Sequence, residues 1–168
     1  MKILALGSNL KYQNNLPIDN IKKAYHQLEN EGVKILKKSF FYESEAYPNN
    51  KDPKFINSAI KIETNLSAQV LLEKILKIEK KFGRVRDQKN SPRTLDIDIL
   101  DYDGQIINIK DKNINLDIPH KEIQNRLFVL LPIRDLSVEW LHPKSKATIE
   151  DMIANFSQDQ INKVKKII

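Results

Sequence analysis

An α+β fold is predicted for this chain of 168 residues. Three observations carry the prediction: a short apolar run near the N-terminus, two segments with apolar residues at helical spacing, and strand-like alternation between and after them. Residues 2–7, ending Ala5-Leu6-Gly7, suit a buried first strand. Ile21, Ala24, Tyr25 and Leu28 recur on one helix face, with Pro17 near the start and Gly32 just past the end, so a helix is predicted over 17–31. Residues 33–42 favour strand. Pro48, Asn49, Asn50 and Pro53 punctuate a loop over 46–53. Residues 55–64 alternate, with Ile56, Ser58, Ile60 and Ile62 on one side and Phe55 and Asn57 on the other. Ser67 is placed to cap a second helix with the stripe Leu71, Ile75, Ile78 and Phe82, which Gly83 ends. A loop over 84–93 leads into a strand over 95–100. The order β-α-β-β-α-β is the ferredoxin-like split arrangement, an antiparallel sheet with two packed helices. After the turn at Asp103-Gly104 the chain reads as a less regular C-terminal extension, in which Thr148-Ile149-Glu150-Asp151 signals one helix start. No repeat or low-complexity linker intervenes, and one domain spanning 1–168 is expected.

Composition narrows the chemistry. The absence of cysteine excludes disulfides, thiolate metal sites and cysteine nucleophiles. His26, His120 and His142 are too widely spaced for a contiguous histidine metal motif. No apolar run reaches the length of a signal-peptide core or a membrane span, so a cytoplasmic protein without membrane contact is expected. The net charge is +6, and residues 73–93 alone carry eight bases against three acids. The next ten residues hold four aspartates and no base. Such a juxtaposition suits a small anion with its metal ions better than a nucleic acid.

The sharpest feature is Asp96-Ile97-Asp98. Period-two alternation on a strand puts both carboxylates on one face, their Cα atoms about 6.5–7 Å apart. Like charges so placed disfavour each other unless a cation neutralises them, and Mg²⁺ takes such oxygen ligands together with substrate phosphates. A solvated edge strand is the plain alternative. Gly83-Arg84-Val85-Arg86 and Pro92-Arg93 set three guanidinium groups around one loop, and arginine's planar fork fits phosphate oxygens. Arginines following a helix also simply complement its dipole. Gly7-Ser8-Asn9-Leu10 lacks the lysine and spacing of a P-loop, and Gly7 is expected to serve a tight turn.

Taken in order, Ala5-Leu6-Gly7-Ser8-Asn9-Leu10, Phe55-Ile56-Asn57-Ser58-Ala59, Ile78-Glu79, Gly83-Arg84-Val85-Arg86, Pro92-Arg93-Thr94-Leu95-Asp96-Ile97-Asp98-Ile99-Leu100, Ile118-Pro119-His120 and Arg126-Leu127-Phe128-Val129-Leu130 resemble the 6-hydroxymethyl-7,8-dihydropterin pyrophosphokinases of folate biosynthesis. The resemblance runs from the first strand to about Pro132, and its Pro-Arg-Thr-Leu-Asp-Ile-Asp-Ile-Leu segment is the most specific part. It implies transfer of pyrophosphate from ATP to the hydroxymethyl group of the dihydropterin, releasing AMP. It also implies that Asp96 and Asp98 hold two Mg²⁺ ions and that Arg84, Arg86, Arg93 and Arg126 contact phosphates. Glu79 and His120 match nucleotide-site positions. Phe55 and Phe128 match two aromatics that sandwich the pterin ring, and Asn57 a residue on its edge; Ser44, Glu45 and Tyr47 fall in the pterin loop. Asn90-Ser91 stands where relatives carry an aromatic and a glycine, and Ser44-Glu45 where they carry Thr-Pro. The loop over 84–93 is expected to be open without ligands and to close over both substrates, with Arg84 and Arg93 acting on the chemical step. A monomer is expected, or association with another folate-pathway enzyme. Two other readings remain at this point: a ferredoxin-like RNA-binding module, which would want aromatics where Asp96 and Asp98 stand, and a nucleotide-sensing domain without catalysis.

Overall fold

The computed structural model describes residues 1–47, 49–85, 91–111 and 114–167. Strand β1 (Lys2–Ser8) lies inside the sheet, antiparallel to β4 (Phe55–Glu63) on one side and β5 (Asp96–Tyr102) on the other. Two short strands, β2 (Lys34–Lys38) and β3 (Tyr42–Ser44), pair successive stretches of β4. Farther along the chain come the hairpin β6 (Ile107–Lys110) and β7 (Asn115–Ile118) and a final strand β8 (Lys165–Lys166) that pairs β3.

Helices α1 (Pro17–Asn30) and α2 (Ala68–Lys81) cover one face of the sheet. The stripes read from the sequence are what they bury: Ile21, Ala24, Tyr25 and Leu28 from α1, and Leu71, Ile75 and Ile78 from α2, against Leu4, Leu6, Ile60, Ile62, Ile97 and Ile99. Ser67 caps α2 by accepting the Val70 N–H at 3.3 Å. Full burial of each large apolar side chain contributes about 1.5–3 kcal/mol, which is why period and capping decide these elements.

The opposite face divides in two. At one end, Ile3, Ala59 and Leu100 lie in a second core with α3 (Leu127–Leu136) and α4 (Ile149–Ala154). Thr148 starts α4 as expected, its hydroxyl accepting the Asp151 N–H at 3.1 Å while Asp151 accepts the Thr148 N–H. A short helix α5 (Gln158–Asn162) follows. Helix α3 lies where only irregular chain was expected. It is apolar nearly all round and holds Pro132, so it offers no amphipathic period to read. At the other end of this face no helix among the described residues covers the sheet, and there the strands present a different set of side chains.

Candidate active site

Register decides what meets there. Gly7 on β1 lies opposite Asn57 on β4 and Asp96 on β5, and Ala5 lies opposite Ala59 and Asp98. Side chains directly opposite one another share a face, so Asn57, Asp96 and Asp98 all project to the side away from α1 and α2. Phe55 joins them two residues before Asn57, opposite Ser44. Between the two rows the middle strand contributes only hydrogen and a methyl group. Gly7 therefore makes no turn: it lies inside β1 and its role is spatial. A Cβ there would sit 3.5 Å from Asn57 Oδ1 and 3.7 Å from Phe55 Cδ1, within the trench between aromatic and acidic rows.

The acidic row is held by arginines. Arg84 Nη1 pairs closely with Asp96 Oδ1, and Arg93 Nη1 lies 2.5 Å from Asp96 Oδ2, so both oxygens of this carboxylate meet a guanidinium. Arg84 also lies 2.6 Å from Glu79 Oε1 and donates to the Leu95 carbonyl at 3.3 Å. Glu79 is 1% exposed and lies under the sheet end, where Oε1 also accepts the Ile97 N–H at 2.9 Å. It thus locks Arg84 to β5 from below. Burial works against the Arg84 charge, but the Asp96 and Glu79 carboxylates, with Asp98 beyond them, more than offset it and hold its pKa above the usual arginine value. Glu79 had a readable signal: with Leu71 and Ile75 it continues the four-residue spacing of the buried stripe.

Asp98 is in the opposite condition. Burial and the neighbouring Asp96 carboxylate raise its pKa, with partial relief from His120, Arg126 and Arg84. Among the described residues none donates a hydrogen bond to it. No three acidic or histidine side chains converge among the described residues. A bound cation would therefore draw two carboxylates from the protein and its remaining oxygen ligands from phosphates and water, a mixture suited to Mg²⁺. The donor set and the only partly relieved charge at Asp98 fit that ion.

On the aromatic side, Asn57 is 6% exposed and donates its amide N–H groups to Ser44 Oγ at 2.9 Å and the Tyr42 carbonyl at 3.4 Å. That fixes the amide so that Oδ1, beside Gly7, faces the trench as an acceptor. Phe128 opens α3 just after Arg126, whose guanidinium lies 6.0 Å from its ring centroid; Arg93 lies 5.6 Å from that of Phe55. Each aromatic of the expected sandwich thus carries an arginine over its face. His120 follows a cis Ile118–Pro119 bond, and its Nδ1 accepts the Glu122 N–H at 3.2 Å. Ser44 is buried, whereas Glu45 is exposed and Tyr47 is 81% exposed. Arg86, Asn90 and the residues between them, half of the loop expected to close over the site, lie outside the described residues.

Gly83 sets where that loop leaves α2. Its φ is +72°, and a Cβ would lie 2.5 Å from Tyr12 Cε2. Tyr12 in turn packs on Phe82 with ring centroids 6.0 Å apart. Gly83→Ala is therefore expected to cost about 1–3 kcal/mol and to displace Arg84. Thermal denaturation checks this, and an unchanged Tm would contradict it.

Residues 3–138 match the family described as 7,8-dihydro-6-hydroxymethylpterin-pyrophosphokinase (HPPK). A 2-amino-4-hydroxy-6-hydroxymethyldihydropteridine pyrophosphokinase of Haemophilus influenzae is 35% identical over 164 residues, covering 96% of each chain. The folic acid synthesis protein FOL1 of Dictyostelium discoideum is 39% identical over 154 residues, 90% of this chain but 22% of that one. The crystal structure of wild-type Plasmodium falciparum HPPK-DHPS with pteroate superposes with a TM-score of 0.75 at 17% identity, covering 98% of this chain and 45% of the other. The present chain spans less than half the length of these two longer relatives. The fold is of the ferredoxin-like type. More particularly, the chain belongs to the pyrophosphokinase family named above. Among the described residues no helix is long and apolar enough to cross a membrane.

Proposed function

We propose that the chain transfers the pyrophosphoryl group of ATP to the hydroxymethyl oxygen of 6-hydroxymethyl-7,8-dihydropterin, with both substrates lying along the uncovered trench. The observation that carries this is the shared face: Asp96 and Asp98 on one side of Gly7 and Ala5, Asn57 and Phe55 on the other, with Arg84 and Arg93 at the acidic row. In the reaction the hydroxymethyl oxygen forms a bond to the β-phosphorus, the bond from that phosphorus to the α,β-bridging oxygen breaks, and AMP leaves as the hydroxyl loses its proton. Two Mg²⁺ ions, held by Asp96 and Asp98, would neutralise phosphate charge when bound. Arg84, Arg86, Arg93 and Arg126 bind phosphate oxygens, and His120 lies on the nucleotide side. Glu79 serves by holding Arg84. Phe55 and Phe128 stack on the pterin, Asn57 Oδ1 accepts from its N–H edge, and Ser44, Glu45 and Tyr47 border it.

The attacking hydroxyl is a weak nucleophile, and none of these residues is a strong base. Rate must come from alignment and from stabilising phosphate charge. The same reading places a monomeric enzyme in the cytoplasm with ATP and the pterin as its small-molecule partners. An RNA-binding role is disfavoured, since Asp96 and Asp98 would repel a phosphate backbone.

Incubation with ATP, Mg²⁺ and hydroxymethyldihydropterin is expected to yield AMP and the pterin diphosphate in equal amounts. ADP as product, or AMP formed at the same rate without pterin, would overturn the assignment. Phe55→Ala and Phe128→Ala are each expected to weaken pterin binding by about 1–3 kcal/mol, taking base–aromatic stacking as the guide. ATP affinity should hardly move in the same calorimetric titrations. Equal losses for both ligands would make the two rings packing residues instead.

A further inference from the structure

The segment after β1 contains a side chain that the reaction does not touch yet which spans the site's two halves. Asn9 is 3% exposed. Its Oδ1 accepts the Arg93 N–H at 2.7 Å, while its Nδ2 donates to the Pro53 carbonyl at 2.9 Å. Its own N–H, and that of Leu10, donate to the Arg93 carbonyl at 3.0 and 3.2 Å. Arg93 is thereby gripped on both sides of its Cα. Immediately beyond, Ser8 Oγ donates to the Thr94 carbonyl at 2.5 Å and the fully buried Asn20 donates to the same carbonyl at 3.1 Å. The backbone entering β5 is thus nailed to the end of β1. Pro53 lies two residues before Phe55, at the entry to the aromatic row.

We infer that Asn9 is a positioning residue whose single amide sets the distance between the phosphate-binding arm at Arg93 and the pterin platform at Phe55. The inference rests on the assignment of those two residues made above. The chemistry of the group is specific. A planar amide offers one acceptor and one donor in fixed relative orientation, so the Arg93 amide and the Pro53 carbonyl are held by one rigid body. An aspartate keeps the acceptor but turns a lone pair toward the Pro53 carbonyl, and an alanine loses both links. Neither bond changes which groups contact either substrate. What they change is how the two substrates are aligned, and alignment errors on the order of 1 Å cost about a hundredfold in rate.

The expected signature is a kcat effect with little change in KM. In the full chain, Asn9→Asp and Asn9→Ala should each lower kcat about tenfold or more, with KM for ATP and for the pterin within about threefold of wild type. Asn9→Asp preserves the shape of the buried side chain, so it remains informative if Asn9→Ala folds poorly. Wild-type kcat in Asn9→Asp at a temperature well below its Tm overturns the inference, because holding Arg93 alone would then suffice. So does a variant whose only defect is a lowered Tm. Arg93→Ala and Phe55→Ala serve as the parallel controls. If neither alters kcat or KM, the site assignment has failed, whatever the Asn9 variants do; if both do and the Asn9 variants do not, the bridge alone is wrong.

Discussion

Asp96→Asn and Asp98→Asn should each reduce turnover about a thousandfold or more, yet shift stability in opposite directions when no metal is present. On the proposed metal role, either substitution removes half of the carboxylate charge that would hold the ions, and a thousandfold corresponds to about 4 kcal/mol of transition-state stabilisation. The stability split comes from what surrounds each group. Asp96 has an arginine on each oxygen, so its replacement takes one charge partner from each of Arg84 and Arg93, although Arg84 keeps Glu79, and should cost about 2 kcal/mol, the worth of charge-assisted hydrogen bonds. Asp98 is raised in pKa by burial and by Asp96, so at neutral pH its ionised form destabilises the fold. Asn at position 98 removes that penalty and should raise Tm at neutral pH. The gain should shrink once pH falls below the raised pKa and vanish below the ordinary aspartate value, where the carboxyl is neutral in the folded and the unfolded chain alike. Denaturation in EDTA over a pH series, beside turnover at several Mg²⁺ concentrations, measures both effects. Full activity of either variant at low Mg²⁺ would dismiss the paired-aspartate role, and a matching fall in stability for both would dismiss the charge argument.

Arg84→Ala and Arg93→Ala should depress the chemical step by about 10²–10³-fold, the scale of losing one preorganised donor to developing charge. ATP affinity should fall by less than about tenfold, since on the proposed reading phosphate binding would be shared with Arg126 and with metal ions. Single-turnover kinetics at saturating substrates separates the two quantities. Arg84 should show the purer effect on rate, because Glu79 and the Leu95 carbonyl hold its guanidinium in place. Arg93 lies over the Phe55 ring, so its removal should also change pterin binding. Should both variants lose ATP affinity alone and react at the wild-type rate once saturated, the arginines serve only to bind nucleotide.

Much of this site could be read from residues close together in the chain. The Asp96–Asp98 pair needs nothing beyond strand alternation, and α2 announces itself through Ser67, its apolar stripe and Gly83. What could not be read depends on partners distant in sequence. Gly7 looked like a turn because a glycine before Ser-Asn ordinarily is one; its role appears when β4 and β5 flank it in register. Asn9 is one more polar residue until Arg93 and Pro53 are brought to its two ends. Helix α3 escaped because burial on nearly all sides erases the period by which a helix is recognised. Glu79 was legible as a site residue through its family motif, while its position beneath the site follows from packing.

The pairing of β8 with β3 bears on how the protein is made. Tyr42 and Glu43 face Lys166 and Lys165 across an antiparallel pair, and the Ile167 N–H donates to the Phe41 carbonyl at 2.9 Å. During synthesis this border of the sheet is translated early and its cover late. In the interval the backbone groups of 41–43 that face away from β4 have no strand to bond, and an unpaired strand edge is a template for another nascent chain. The strand that carries Ser44 and orients Asn57 is thus also where a ribosome-bound chain is open to mispairing.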